Sequence, residues 1–171
     1  DRANDGVRLD ATQLRAKVVG EGGNLGMTQR ARIEYALAGG RLNTDAVDNS
    51  AGVDCSDHEV NLKILMQVLM STGQVQSLEQ RDELLSSMTD EVCEAVLENN
   101  YGQSLCLSLD QLRAGNEVEP YLELTDRLSS AGLLDRRGEC LPSGKDVRAR
   151  ETATLARPEL AILMAYSKMQ L

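Results

Sequence analysis

The chain has 171 residues, 42% of them hydrophobic, with four tyrosines as its only aromatics and a formal net charge of −9. That charge repels nucleic-acid phosphates and anionic membrane surfaces, and so few rings leave no platform for stacking bases, so neither nucleic acid nor membrane is expected as a partner. No run approaches the ~20 apolar residues of a membrane span, and no charged-then-apolar leader opens the sequence. Cys55, Cys93, Cys106 and Cys140 form no C-x-x-C pair and are too irregularly spaced for a zinc ribbon. They read as reduced thiols of a cytoplasmic protein. The chain begins at Asp1 and stops at Leu171 inside an apolar helical pattern, so both ends read as cut from something longer.

In chain order, Asp1–Gly6 is expected to be mobile, and Asp10–Ala16 to form a helical turn leading into a strand. Lys17–Glu21 is predicted as that strand, with Val18 and Val19 as a buried β-branched pair. Gly20, Gly22, Gly23 and Gly26 follow within seven residues, interleaved with Glu21 and Asn24. Glycine accepts positive φ and lets another group approach the backbone, so the run is either a structural turn or a ligand-facing loop. The Asn24 carboxamide would give such a loop both a donor and an acceptor. The spacing is not G-x-G-x-x-G: counted from Gly20 the sixth residue is Leu25, and counted back from Gly26 the first is Glu21. No Gly-Lys-Ser/Thr follows, which excludes a P-loop.

Thr28–Ala38 is predicted as a helix with Ile33, Ala36 and Leu37 on one face and Arg30, Arg32 and Glu34 opposite. Gly39-Gly40 ends it as a left-handed cap. Arg41–Thr44 is a second extended piece and Asp45–Asn49 a turn. Strand–helix–strand over roughly 30 residues fits the last βαβ unit of a Rossmann-type sheet. A second small-residue turn, Asp48–Ser56, then precedes an apolar helix over 57–71. Ser56 and Glu59 have the spacing of a capping box, and the helix start they define would attract a carboxylate or phosphate. Two polar turns at the ends of consecutive α/β units are how open parallel sheets hold ligands. His58, the only histidine, reads as hydrogen-bonded or solvated rather than a general base, for no nucleophile or metal partner stands beside it. Lys63 reads as paired or snorkelling rather than catalytic.

Gly73 breaks that helix, and Ser77-Leu78-Glu79-Gln80 caps the next, to about Met88. A long helix runs from Thr89 toward Leu112, with a kink allowed at Asn99–Gly102. Glu119–Ala131 is amphipathic through Tyr121, Leu122, Leu124 and Leu128. Arg136-Arg137 lies in a charged exposed turn, Asp146–Glu151 is a helical turn, and Pro158 starts a last helix over Glu159–Met169. The fold class expected is therefore mainly α with a small α/β part: a truncated C-terminal edge of a Rossmann-type sheet over residues 1–56, then a helical region over 57–171.

The loop and turn motifs carry a resemblance, close over about residues 7–70, to the large bacterial-type NAD-specific glutamate dehydrogenases. Gly20-Glu21-Gly22-Gly23-Asn24-Leu25-Gly26 resembles the family's Glu-Gly-Ala-Asn loop, and Asn49–Ser56 its Asn-Ala-Gly-Gly-Val-x-x-Ser turn. Leu155–Leu160 is similar to a segment of the large class. This chain departs from the ordinary enzymes at Gly23, at Ala51, and at Asp57-His58-Glu59, where they carry an aromatic. The resemblance implies that Gly22, Gly23, Asn24 and Asn49 contact NAD, the asparagines at its nicotinamide half. It implies that Val53 and Ser56 line the L-glutamate/2-oxoglutarate pocket, with Ser56 on the side-chain carboxylate. The family's catalytic lysine and aspartate have no counterpart here, so no catalytic residue is assigned and the chain alone is expected to be inactive. The implied partners are the rest of the same polypeptide and further copies in a homo-oligomer. The alternative expectation is a helical interaction or regulatory module in which the glycine loop is merely structural.

Overall fold

The computed structural model describes residues 2–171, with side chains from Asp5 onward. It is helical throughout. A 3-10 helix, Arg2–Val7, and a second over Ala11–Gln13 are followed by eight α-helices: α1 Gln29–Leu37, α2 Asp45–Asp48, α3 Ser50–Ser71, α4 Leu78–Ser87, α5 Thr89–Asn116, α6 Glu119–Ser130, α7 Gly144–Arg148 and α8 Arg157–Lys168. Of the segment expected to be mobile, Asp1 lies outside the described residues. The chain forms two compact units, one of residues 1–48 with 104–171 and one of residues 49–103.

The Rossmann-type sheet edge is not there. The segments expected as strands meet in a single parallel bridge, Val18 to Arg41, closed by Val19 N–H to Arg41 O at 2.9 Å and Arg41 N–H to Lys17 O at 3.0 Å. A ladder would continue through the Glu21 N–H, but that donor goes to the Asp48 carboxylate at 2.8 Å. On the other side, Thr44 O accepts from the Val47 and Asp48 amides that open α2. With the Glu21 N–H diverted, the pairing stops after one ring. Val18 is 66% exposed, so the expected buried valine pair does not form either.

In the first unit, α8 is the centre of the core. Pro158 occupies its first turn, where a missing N–H costs nothing. The Glu159 carboxylate, fully buried, accepts the Ala156 N–H at 2.7 Å and pairs with Arg150 through both oxygens, each at 2.7 Å. Leu160, Ala161 and Leu163 of α8 pack with Leu107 of α5, Leu122 and Leu128 of α6 and Val147 of α7. α6 buries Leu122, Thr125 and Leu128 along one face, as its spacing predicts. A smaller cluster gathers Ala11, Tyr35 and Leu42 under the glycine-rich loop. α1 ends as expected: Gly39 has φ of 91°, and the Gly39 and Gly40 amides return to Ala36 O and Tyr35 O in a Schellman cap. A Cβ on Gly40 would overlap the Tyr35 ring.

In the second unit, α3 begins at Ser50, not at Ser56. The stretch 50–56 holds no proline and only one glycine, so nothing stops the helix from reaching back to Asn49. The Ser56-to-Glu59 pattern is thus not a capping box. Ser56 Oγ donates back to Gly52 O at 3.1 Å, and Glu59 pairs forward with Lys63 at 2.5 Å. α4 is capped as expected by Ser77, which accepts the Gln80 N–H. α5 passes through Asn99–Gly102 without a break. The amides that could have broken it are used elsewhere: Asn99 donates to Asp54 at 2.9 Å, and Asn100 donates to Val96 O and accepts from Ser50.

Leu160 is 1% exposed and Val60 54%. Leu160→Ala is therefore expected to lower unfolding stability by about 2–5 kcal/mol, against no more than about 0.5 kcal/mol for Val60→Ala, both read from denaturant titrations.

Candidate functional site

The glycine-rich loop is built on a buried ion pair. Glu21 and Arg32 have side chains 3% and 7% exposed and meet in a two-pronged contact, Nε to Oε2 at 2.6 Å and Nη2 to Oε1 at 2.9 Å. Arg32 was expected on the solvent face of α1; it points inward because Glu21 is there. Arg32 Nη2 also reaches Asp45 Oδ1 at 3.1 Å. The hydrogen bonds that Arg32 donates to the Glu21 carboxylate raise the Arg32 pKa against the opposing effect of burial. For Asp45, burial would raise the pKa, but the Leu25 N–H, the Arg32 charge and the Ala46 N–H together bring it below the ordinary value.

Around this pair the loop's amides are satisfied one by one. Glu21 N–H donates to Asp48 at 2.8 Å, Leu25 N–H to Asp45 at 3.0 Å and Met27 N–H to Glu21 Oε1 at 2.7 Å. The left-handed residues of the loop are Asn24 (φ 60°) and Leu25 (φ 52°), not its glycines. Gly26 serves close approach, since a Cβ there would stand 3.3 Å from Glu21 Oε1. Gly22 and Gly23 face open space, with nothing within 4 Å of an added Cβ. Asn24 is exposed beside them. The structure therefore presents Gly22, Gly23 and Asn24 together on one open surface.

Next to the bridge is an open cleft of about 810 Å³ whose lining includes Val18, Gly40, Asn43, Gln111 and Arg157, but not Asn24. Arg157, half-buried in the lining, spends its donors within the unit. Nε donates to Asn43 Oδ1 at 2.6 Å, Nη1 to Ser108 Oγ at 3.0 Å, and Nη2 to Ser104 O at 3.0 Å. Burial lowers its pKa, with Asp48 acting against that. Arg157 thus ties α8 to α5 and to the segment after the bridge, and has no donor left for an anionic ligand.

The other residues singled out in the sequence lie in the second unit. Asn49 is the N-cap of α3, Val53 is 60% exposed, and Ser56 is exposed one turn further on. Asn49 Oδ1 would stand 3.0 Å from a Cβ on Gly52, so a side chain there would crowd the Asn49 carboxamide. His58 Nε2 lies 3.6 Å from Asp54 Oδ1. Among the described residues no group of three or more His, Cys, Asp or Glu could hold a metal ion, and no helix is long and apolar enough to cross a membrane. All four cysteines are exposed free thiols. Sequence reading missed Arg32, Asp45, Asp48 and Arg157. The lone Glu21 among glycines was the available signal, because a carboxylate in a turn that tight needs a counter-ion.

A sequence model of the family described as "Bacterial NAD-glutamate dehydrogenase, catalytic domain" matches residues 1–110, which include the loop, Asn49, Val53 and Ser56. The chain belongs to this family. It is 52% identical over 173 residues to an NAD-specific glutamate dehydrogenase of Pseudomonas aeruginosa, an alignment covering all of this chain and 11% of that protein. It is similar to the NAD-specific glutamate dehydrogenases of Mycobacterium tuberculosis, at 49% with the same coverage, and of Halomonas elongata, at 46% with 98% of this chain and 10% of the relative. The chain thus spans about a tenth of the length of the family members it matches.

Two outcomes are expected from the loop's ion pair. Arg32→Met should cost about 3–5 kcal/mol of stability by stranding the Glu21 carboxylate, while Glu21→Met with Arg32→Met should cost clearly less than the two single changes summed. The lowered Asp45 pKa means its contribution is fully present above the ordinary carboxylate range of about 4 and is lost as pH falls through the folded-state value. Acid titrations should show stability declining below that range, with a shallower decline in Asp45→Asn.

Proposed function

We propose that this chain works as one section of a long NAD-specific glutamate dehydrogenase that carries out the oxidative deamination of L-glutamate to 2-oxoglutarate and ammonium. The observation that carries the reading is 46–52% identity, over nearly the whole chain, to three enzymes of that name. NAD, held by Gly22, Gly23, Asn24 and Asn49, would supply the hydride acceptor for oxidation at the glutamate Cα, and hydrolysis of the imine so formed would give 2-oxoglutarate and release ammonium. The part given to this section is binding and orientation, a proximity contribution rather than proton transfer.

Gly22, Gly23 and Asn24 serve as cofactor contacts. In support, the two glycines leave the space above the loop clear, and Asn24 offers a carboxamide complementary to that of nicotinamide. Asn49 is a further cofactor contact, and Val53 and Ser56 are substrate contacts; the exposure of Val53 and Ser56 on α3 is consistent with this. No catalytic residue is assigned to this section: Lys63, the lysine weighed for that role, is an exposed partner of Glu59. The second reading, a helical interaction module in a homo-oligomer, draws on Val53, Val60, Ile64 and Val68, which are 51–60% exposed along α3.

Full-length protein should oxidise NADH in the presence of 2-oxoglutarate and ammonium, and the 171-residue chain alone should not. Full-length Ser56→Ala should show a KM for glutamate raised about tenfold with kcat little changed. An inactive full-length protein would leave the interaction module as the better account, and an unchanged KM would remove Ser56 from the pocket.

A further inference from the structure

Asn24 and Leu25 are consecutive residues in the left-handed region, with φ of 60° and 52°. Asparagine visits that region with local help, but leucine is disfavoured there because its Cβ crowds the following carbonyl. Leu25 is also 87% exposed, so packing of its side chain does not hold it in place. The conformation must be held through the backbone. Asn24 N–H returns to Glu21 O at 3.1 Å, and Leu25 N–H is held by Asp45 Oδ2 at 3.0 Å. The other Asp45 oxygen is fixed by Arg32 at 3.1 Å and by the Ala46 N–H at 2.9 Å. Arg32 is itself locked by the buried Glu21. Among the described residues the Asn24 side chain makes no hydrogen bond, so its backbone conformation is what limits the directions its rotamers can take.

We infer that Asp45 is a positioning residue: by holding the Leu25 amide it keeps residues 24–25 left-handed and so aims the Asn24 carboxamide out of the loop at the cofactor. This rests on the proposed contact between Asn24 and NAD. Asp45 touches neither cofactor nor substrate in this account. Its lever is a single amide, and its own rigidity comes from Arg32.

The test uses the full-length enzyme. Asp45→Ala should raise the KM for NAD at least about tenfold with a smaller change in kcat and an unchanged KM for glutamate. Hydrogen–deuterium exchange of the peptide spanning residues 20–27 should accelerate in the same variant. Asp45→Asn, which keeps an acceptor for the Leu25 N–H, should recover part of both effects, and it carries the test if the alanine variant does not fold. In an Asn24→Ala background, Asp45→Ala should add nothing further to the KM for NAD. Unaltered exchange in Asp45→Ala would overturn the clamp. Faster exchange with an unchanged KM for NAD, where Asn24→Ala alone raises it, would overturn the positioning role and leave the cofactor contact standing. An unchanged KM in Asn24→Ala would remove the contact itself, and the positioning role with it.

Discussion

The contact between Glu21 and Arg32 organises the glycine-rich loop and what packs beneath it. Two charges in a setting this dry are costly to leave alone and strongly attractive when paired in a planar, two-pronged geometry. Satisfying them dictates what surrounds them. Arg32 must face into the unit from α1, Gly26 must lack a side chain so that the Glu21 oxygen can approach, and the Met27 amide closes onto the same oxygen. Asp45 then fits against the remaining face of the guanidinium and Asp48 takes the Glu21 amide. A segment rich in glycine, which would otherwise lose much conformational entropy on ordering, is held by hydrogen bonds at the amides of Glu21, Asn24, Leu25 and Met27.

How much of this could be read from the residues depends on whether a signal was local or distant. α1 and α4 carry side-chain caps at Thr28 and Ser77, α6 and α8 a proline in the first turn, and all four formed where the sequence places them. The parallel pairing of Val18 and Arg41 was also foreseeable, but its extent was not. Whether a strand continues depends on where the next amide goes, and the Glu21 N–H goes to Asp48, 27 residues away. Ser56 and Glu59 failed for a related reason: serine followed three residues later by glutamate marks a helix start or two positions of one running helix equally well. Arg32 misled because a charged residue on an amphipathic helix is normally solvated, and only its distant partner made burial favourable. The glycine run does form a turn, yet its left-handed positions fell on Asn24 and Leu25.

In the second unit, α3 turns Leu62, Met66 and Leu69 toward its neighbours and leaves Val53, Val60, Ile64 and Val68 in solvent. A helix apolar on nearly all sides is either buried between layers or left with an unpartnered face, and α3 keeps such a face. Three helices with Met66, Val75 and Val96 as their buried apolar residues supply only one face for it to pack against. The interhelical ties at its start, from Ser50 to Asn100 and from Asn99 to Asp54, are polar. Position along that helix is thus set by directional bonds rather than by close packing.

The Arg157 latch has a consequence for how the protein is made. Its guanidinium bonds to Asn43, 114 positions earlier, and the first unit is assembled from two stretches of chain with residues 49–103 between them. On the ribosome, the segment behind the glycine loop must wait unsupported until α8 emerges, and closing so large a separation is slow compared with forming any single helix. Newly synthesised chains would therefore pass through a stage in which residues 49–103 have the means to fold locally while residues 1–48 are still open to proteases and chaperones.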